Sequence, residues 1–436
     1  MRNLFKVKTA WNGVATVSWL VVMLASSAHA GPGDYKGGYE SADYETRSVA
    51  VDSRADRGTP ADLMAIAAKP PLGLPALPLP EDNPLTAAKV QLGRKLFYDR
   101  RLSLNDTMSC AMCHVPEQGF SNNELALAVG LEGRTVRRNA PTLYNIAYAE
   151  RLFHDGRETS LEQQAWLPML RHNEMANPSV GAVIRKLHTM SDYDGLFEAA
   201  FDGRGPGMET VGAALASYQR TLLSANSDFD RWFYGKQKDA LSPQAQRGYR
   251  IFSGKGLCTA CHIVGENSAL FTNNKLHNTG IGWYSAMAPV AAEQRVLIAP
   301  GIYATVTADK IAMVGHPELG DVGLYEITRN PNDRWRYKTA GLRNVALTAP
   351  YMHDGSLLTL AEVVAFYNRG GHPNEGLDPL IQPLGLSAAE QDELVAFLES
   401  LTGDSVDILV ADAFAAPIGD LKAEDPHWSH EQGSNY

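Results

Sequence analysis

Apolar residues recur at the spacing of an α-helix in several separate stretches, while the alternation that marks a strand is sparse. The clearest stretch runs from about Ala388 to Leu401, where Leu394, Phe397, Leu398 and Leu401 share one face. Ser387, with Glu390 three residues on, opens it with a capping-box signature. A second closing helix is predicted from about Glu209 to Leu223. Two opening helices carry a common pattern, Gly93-Arg94-Lys95-Leu96-Phe97 and Gly248-Tyr249-Arg250-Ile251-Phe252. Ser242 and Pro243 supply the N-cap and first-turn residue of the latter. An opening and a closing helix thus occur twice, which predicts a mainly α fold of two related halves.

The ends of the chain read differently. Arg2, Lys6 and Lys8 precede an apolar run from Val14 to Leu24 that ends in Ser26-Ser27-Ala28-His29-Ala30. This is the plan of a cleaved signal peptide, residues 1–30. Its apolar run is short of the roughly 20 residues a spanning helix needs, so no stable membrane anchor is expected. Export to the periplasm follows. Residues 31–80 read as a leader with a Pro-rich linker, Pro70 to Pro80. Residues 81–235 and 236–405 read as the two domains, and 406–436 as a polar tail. The net charge of -10 argues against a nucleic-acid partner.

The four cysteines change the picture most. All fall in two CxxCH segments, Cys110-Ala111-Met112-Cys113-His114 and Cys258-Thr259-Ala260-Cys261-His262, each placed after an opening helix. Such a segment lets two thiols form thioethers to one haem while the adjacent imidazole binds its iron. A lone CxxCH is also a redox dithiol or half a zinc site. Two of them, with no cysteine left over, point to two covalent haem c groups on a cytochrome c plan of helix, haem loop and closing helix.

The repeat continues past the haem loops. Asn145 stands nine residues before His154-Asp155-Gly156, and Asn344 nine before His353-Asp354-Gly355. Ser160-Leu161 and Thr359-Leu360 follow at equal offsets, and the register then pairs Pro168 with Tyr367. The run from Leu342 to Gly355, with Val363 to Gly371 after it, resembles the bacterial di-haem cytochrome c peroxidase and MauG family. So does Arg138-Asn139-Ala140-Pro141-Thr142 with Asp155-Gly156-Arg157. The likeness covers roughly residues 85 to 403.

The resemblance implies that hydrogen peroxide reacts at the haem of Cys110, Cys113 and His114, in a pocket formed by Gln164, Pro168 and Glu174. The residues support this on their own terms. Gln164 and Pro168 are four apart and share a helix face, and a proline cannot ligate iron, which leaves a position open. Glu174 suits the proton transfer that O–O cleavage requires, although a glutamate read alone is more often a solvated surface acid. Members that need reductive activation carry a blocking histidine after the first CxxCH. This chain has no histidine between His114 and His154, so its first haem is expected to be open without activation.

At the second haem, on Cys258, Cys261 and His262, the family's peroxidases use a methionine as sixth ligand. The corresponding residue is Tyr367, as in the MauG branch; a packed tyrosine with Met352 as ligand is the alternative. A tyrosine oxygen would disfavour electron uptake and suit storage of an oxidising equivalent. One departure cuts the other way. The family's tryptophan between the haems is replaced here by His154, which either meets a haem propionate or is simply packed. Trp166, two residues from both Gln164 and Pro168, should face away. The resemblance further implies one calcium ion, bound by the side chain of Asn139 and the carbonyls of Thr348 and Pro350. A long connection, 264–336, brings Trp283, Tyr284, Tyr303 and Trp335, with Tyr337 just beyond, as loop packing or as a partner-docking face.

Three functions are compatible with these residues. The first is MauG-like oxidation of a partner protein with peroxide. The second is a cytochrome c peroxidase drawing electrons from a small cytochrome c or cupredoxin. The third is a non-enzymatic electron carrier. Tyr367 and the missing blocking histidine favour the first, His154 weakens it, and an open first haem beside Glu174 counts against the third.

Overall fold

The computed structural model describes residues 58–287, 293–299, 302–307, 310 and 320–416. The expected signal peptide, most of the leader, residues 417–436 and the side chain of Tyr303 lie outside the described residues. With 42% helix against 6% strand, the fold is mainly α.

The first half runs α1 (Leu63–Ala68), α2 (Ala87–Tyr98), α3 (Leu161–Gln164), α4 (Trp166–Leu170), α5 (Val180–Thr189), α6 (Leu196–Ala200) and α7 (Met208–Arg220). The second runs α8 (Asp228–Phe233), α9 (Pro243–Ser253), α10 (Ile281–Met287), α11 (Tyr325–Thr328), α12 (Leu360–Asn368), α13 (Ala388–Glu399) and α14 (Val406–Ala413). Strands are confined to two antiparallel pairs among the described residues. These are β1 (Leu276–His277) with β4 (Tyr337–Lys338), and β2 (Glu293–Ala299) with β3 (Ile302–Thr307).

Each half is organised by one crossed helix pair, α2 on α7 and α9 on α13. The shared glycine explains how they come so close. A Cβ on Gly93 would lie 1.9 Å from the Ala214 carbonyl oxygen, and one on Gly248 would lie 1.9 Å from that of Glu393. Only a residue without a side chain fits either crossing. Four residues on, Phe97 and Phe252 enter the two cores. Phe97 packs against Tyr218 of α7, and Phe252 against Phe397 of α13, ring centroids 4.9 Å apart in the second case.

The repeat also governs how each closing helix is tied down. Asn145 and Asn344 both adopt the left-handed conformation (φ 61° each), which asparagine tolerates better than most residues. Their backbone N–H groups donate to the carbonyls of Leu222 and Leu401, just past α7 and α13. The Oδ1 atoms accept from the backbones of Ser224 and Gly403. Ser224 Oγ also donates to Asn344 Oδ1 at 3.0 Å, so the two turns are joined.

Two stretches expected to be peripheral are packed into the fold. Within the expected leader, α1 is capped by Asp62 and buries Leu63 and Ala67. The Pro-rich run is not a free spacer. Proline holds it extended and removes its own donors, leaving carbonyls for others. Gly73 O accepts from Ala269 N–H and from Arg343 Nη2, and Pro75 O accepts from Tyr148 Oη. Arg343 is itself buried on Asp230, at 2.7 and 3.0 Å. Within the expected tail, α14 returns to the first core with Leu409 and Val410 buried, and Asp412 accepts from Arg94 and the Ala61 backbone.

Candidate active site

Both CxxCH segments form a 3-10 turn, Cys110–Met112 and Cys258–Ala260, closed by His114 N–H on Cys110 O and His262 N–H on Cys258 O. Each imidazole then uses Nδ1 to donate to a carbonyl, His114 to Phe120 (3.1 Å) and His262 to Phe271 (2.7 Å). That bond fixes the tautomer and leaves Nε2 with its lone pair for a metal. Both phenylalanines hold positive φ (51° and 52°) and are fully buried, so strained backbone aims each carbonyl at its histidine. Burial also lowers both imidazoles, keeping them neutral.

None of the four cysteines is in a disulfide, and burial pushes the thiols of Cys110, Cys113 and Cys258 up to about 12. Neutral thiols of this kind are poor candidates for a thiolate metal site or a reactive nucleophile. No group of three or more His, Cys, Asp or Glu suited to a metal ion occurs among the described residues. Paired thiols facing a cavity beside a neutral imidazole are what thioether-linked haem requires.

 The cavity of the first half measures about 200 Å³ and that of the second half about 360 Å³.

The cavity of the first half gathers Cys113 and His114 on one side and Gln164, Pro168 and Glu174 on the other. Gln164 ends α3 and Pro168 lies inside α4, so the single helix face expected for them is interrupted at Ala165. The cause is Pro168, which has no N–H for the Gln164 carbonyl and crowds it. Both side chains nonetheless line one cavity. Trp166 lies outside it, buried, with Nε1 donating to Met208 O. Glu174 follows α4, and its carbonyl accepts from Leu131 N–H at 2.9 Å. The neighbouring Gly130 must be a glycine: a Cβ there would meet the Asn173 carbonyl oxygen at 2.1 Å. Burial raises the Glu174 carboxyl, with Arg171 and Arg157 pulling it back.

The second cavity gathers Cys258, Cys261, His262 and Tyr367, with Leu342, Val364 and Leu394 among its apolar lining. Tyr367 stands near the end of α12, seven residues after Leu360, as Pro168 stands seven after Leu161. Burial, then the nearby Cys258 and Cys261, hold its phenol well above the usual range. Met352 lines the same cavity, so both residues considered as ligand are brought to it.

His154 lines both cavities. Its Nε2 lies 2.9 Å from the Asn139 carbonyl oxygen, and burial and then His353 lower it to about 3. At ordinary pH this keeps the imidazole neutral. Asn139, Thr348 and Pro350 all line the larger cavity. Of the aromatics singled out in the long connection, Tyr284 stacks on His372 at 4.1 Å and Tyr337 on His353 at 3.6 Å.

The profile of the family described as di-haem cytochrome c peroxidase matches residues 87–238. The chain is 40% identical over 337 residues to the cytochrome-c peroxidase IdrP1 of Denitromonas iodatirespirans, covering 76% of this chain and 86% of that one. The chain belongs to the di-haem cytochrome c peroxidase family. It is also 36% identical to the methylamine utilization protein MauG of Methylorubrum extorquens, over 76% of this chain and 82% of that one. Among solved structures, a MauG-like protein associated with microbial copper homeostasis matches with TM-score 0.64 and 28% identity, over 80% of this chain and 98% of that one.

As a di-haem peroxidase the protein is a peroxide-dependent oxidoreductase with two haem cofactors. Its cavity walls include groups the sequence reading did not assign. Arg157 stacks on the Phe153 ring at 3.5 Å, donates to Asp155, and has a buried Nε with no partner. That orphaned donor on the first cavity wall fits a polar group of whatever fills the cavity. The Asp155-Gly156-Arg157 motif was its only trace in the sequence.

Proposed function

We propose that this di-haem peroxidase reacts with hydrogen peroxide at the first cavity and oxidises a partner protein by way of the second, in the MauG-like manner. The observation that carries the reading is the unlike pair Pro168 and Tyr367 at one repeat position, each on the wall of its own cavity. Haem, when bound at each cysteine pair, supplies the redox-active iron. The chain supplies proton handling and selection. Glu174, kept in a buried setting, takes a proton from incoming peroxide and returns it to the departing oxygen, which leaves as water. Gln164 offers an amide donor beside it, and Pro168 offers nothing that could occupy a metal.

At the second cavity the Tyr367 oxygen would serve as sixth ligand. A buried phenol raised this far ionises only beside a cation, which ties its deprotonation to the metal. One calcium ion would be held by Asn139, Thr348 and Pro350. Asn139 Nδ2 is committed to the Ala126 carbonyl, which leaves Oδ1 as that side chain's oxygen donor. The reading also makes the protein periplasmic; among the described residues no helix is long and apolar enough to cross a membrane.

His154 favours a second reading, a cytochrome c peroxidase fed by a small cytochrome c or cupredoxin. A neutral imidazole is harder to oxidise than the indole it replaces, which slows charge sharing between the sites. One equivalent of peroxide added to the fully ferric protein separates the two. Optical and Mössbauer changes at both centres support the first reading; silence until one haem is reduced supports the second. Tyr367→Phe should alter the second haem's spectrum, and an unchanged spectrum would remove Tyr367 from the account.

A further inference from the structure

The first cavity is walled mostly by residues 113–219, but Glu326 and Ile327 of α11 reach it from the other half of the chain. The segment carrying them is latched to the cavity wall by charge. Arg137 Nη2 donates to Glu326 Oε1 at 2.8 Å, and Arg138 grips Asp321 through Nε and Nη2 at 2.5 and 2.7 Å. The remaining Arg138 nitrogen, Nη1, donates to the buried Asp155 at 2.5 Å. On its far side the segment is braced against its own return. Leu324 N–H donates to Arg336 O, and Trp335 N–H to Val322 O. It therefore forms a closed strap that carries α11 as one piece. Ile327 is 50% exposed while also lining the cavity, so one apolar side chain meets solvent and interior together.

We infer that α11 forms the mouth of the peroxide cavity and that Ile327 and Glu326 restrict it to small hydroperoxides. The inference rests on peroxide reacting in the first cavity. A bulky hydroperoxide must displace the strap, which separates the half-exposed Arg137 from Glu326 and, at greater cost, the mostly buried Arg138 from Asp321. Hydrogen peroxide need not move it.

The test uses the full-length di-haem protein and stopped-flow rate constants for hydrogen peroxide and cumene hydroperoxide. Ile327→Ala should raise the cumene hydroperoxide rate by about tenfold, the scale of a side-chain-sized change in a pocket, with the hydrogen peroxide rate unchanged. Glu326→Gln, which loosens the latch without changing its shape, should raise it by a smaller factor. A ratio of the two rates that stays constant across wild type and both variants overturns the mouth while leaving the peroxide reading intact. Wild-type protein inert to hydrogen peroxide in both ferric and half-reduced forms overturns that reading and this inference with it.

Discussion

Replacing Glu174 by glutamine is the most direct probe of the first cavity. The amide keeps the shape of the side chain and its contact with the Leu131 backbone is made by the Glu174 carbonyl, so the loop is undisturbed. What is lost is the ability to take up and release a proton. A positioned acid–base group contributes about 10²- to 10⁴-fold, so the second-order rate with hydrogen peroxide should fall by that factor. The pH profile gives a second signature. Burial raises the Glu174 carboxyl, so its proton-accepting form is lost as pH falls through a value above the ordinary carboxylate range. The wild-type rate should therefore show an acid limb at unusually high pH, and Glu174→Gln should lack it.

Stability separates this from misfolding. A folded-state pKa raised above the unfolded value contributes stability that is present below the unfolded pKa and lost as pH rises through the folded one. At neutral pH the ionised Glu174 is thus a burden on the fold, and the neutral amide should leave the melting temperature unchanged or higher. Stopped-flow absorbance between pH 4 and 9 on the roughly neutral side of the carboxylate range, with calorimetry at pH 7, reads both quantities. A variant that keeps the wild-type rate, or keeps the acid limb, would refute the assignment of Glu174 as the proton carrier.

Two further outcomes concern the scaffold. Gly248→Ala should destabilise the second half, because the added Cβ would sit 1.9 Å from the Glu393 carbonyl oxygen and 2.8 Å from Phe397 Cβ; the overpacking cost of about 1–3 kcal/mol exceeds the roughly 1 kcal/mol gained in helix propensity, as denaturant titration would show. Ending the chain after residue 405 removes buried Leu409 and Val410 and the Asp412 partner of Arg94, so the first half should lose thermal stability while the second haem's spectrum is retained.

The parts of this fold legible in the sequence are those with a local signature. The CxxCH pairs, the Gly-to-Phe spacing of α2 and α9, and the capping box of α13 each occupy a dozen residues or fewer. Gln164, Pro168 and Glu174 could be grouped because they follow one another and match a family spacing. What escaped was made by pairs distant in the chain. Arg138 meets Asp321 across 183 positions, and Arg343 meets Gly73 across 270, with no periodic trace of either. The eight residues of α14 are too few for periodicity to stand out beside a polar terminus. The Pro-rich run has a spacer's composition, and only its neighbours turn its carbonyls into a seam.

The duplicated plan explains how one chain can hold two unlike sites without two unlike scaffolds. The turn at Asn145 and the turn at Asn344 have the same backbone conformation and the same hydrogen bond to a closing helix, so the segments after them start from equivalent geometry. Seven residues into the next helix, one half carries a proline and the other a tyrosine. Proline acts twice: it lacks a donor atom, and it breaks the helix at Ala165 between α3 and α4, whereas α12 runs unbroken from Leu360 to Asn368. Tyrosine on the unbroken helix is presented to the second cavity with its phenol buried. The inequality of the sites therefore needs no difference in the surrounding fold beyond this one helix. Ser224 on Asn344 keeps the two turns in fixed relation, so that the cavity on either side of His154 retains its own character.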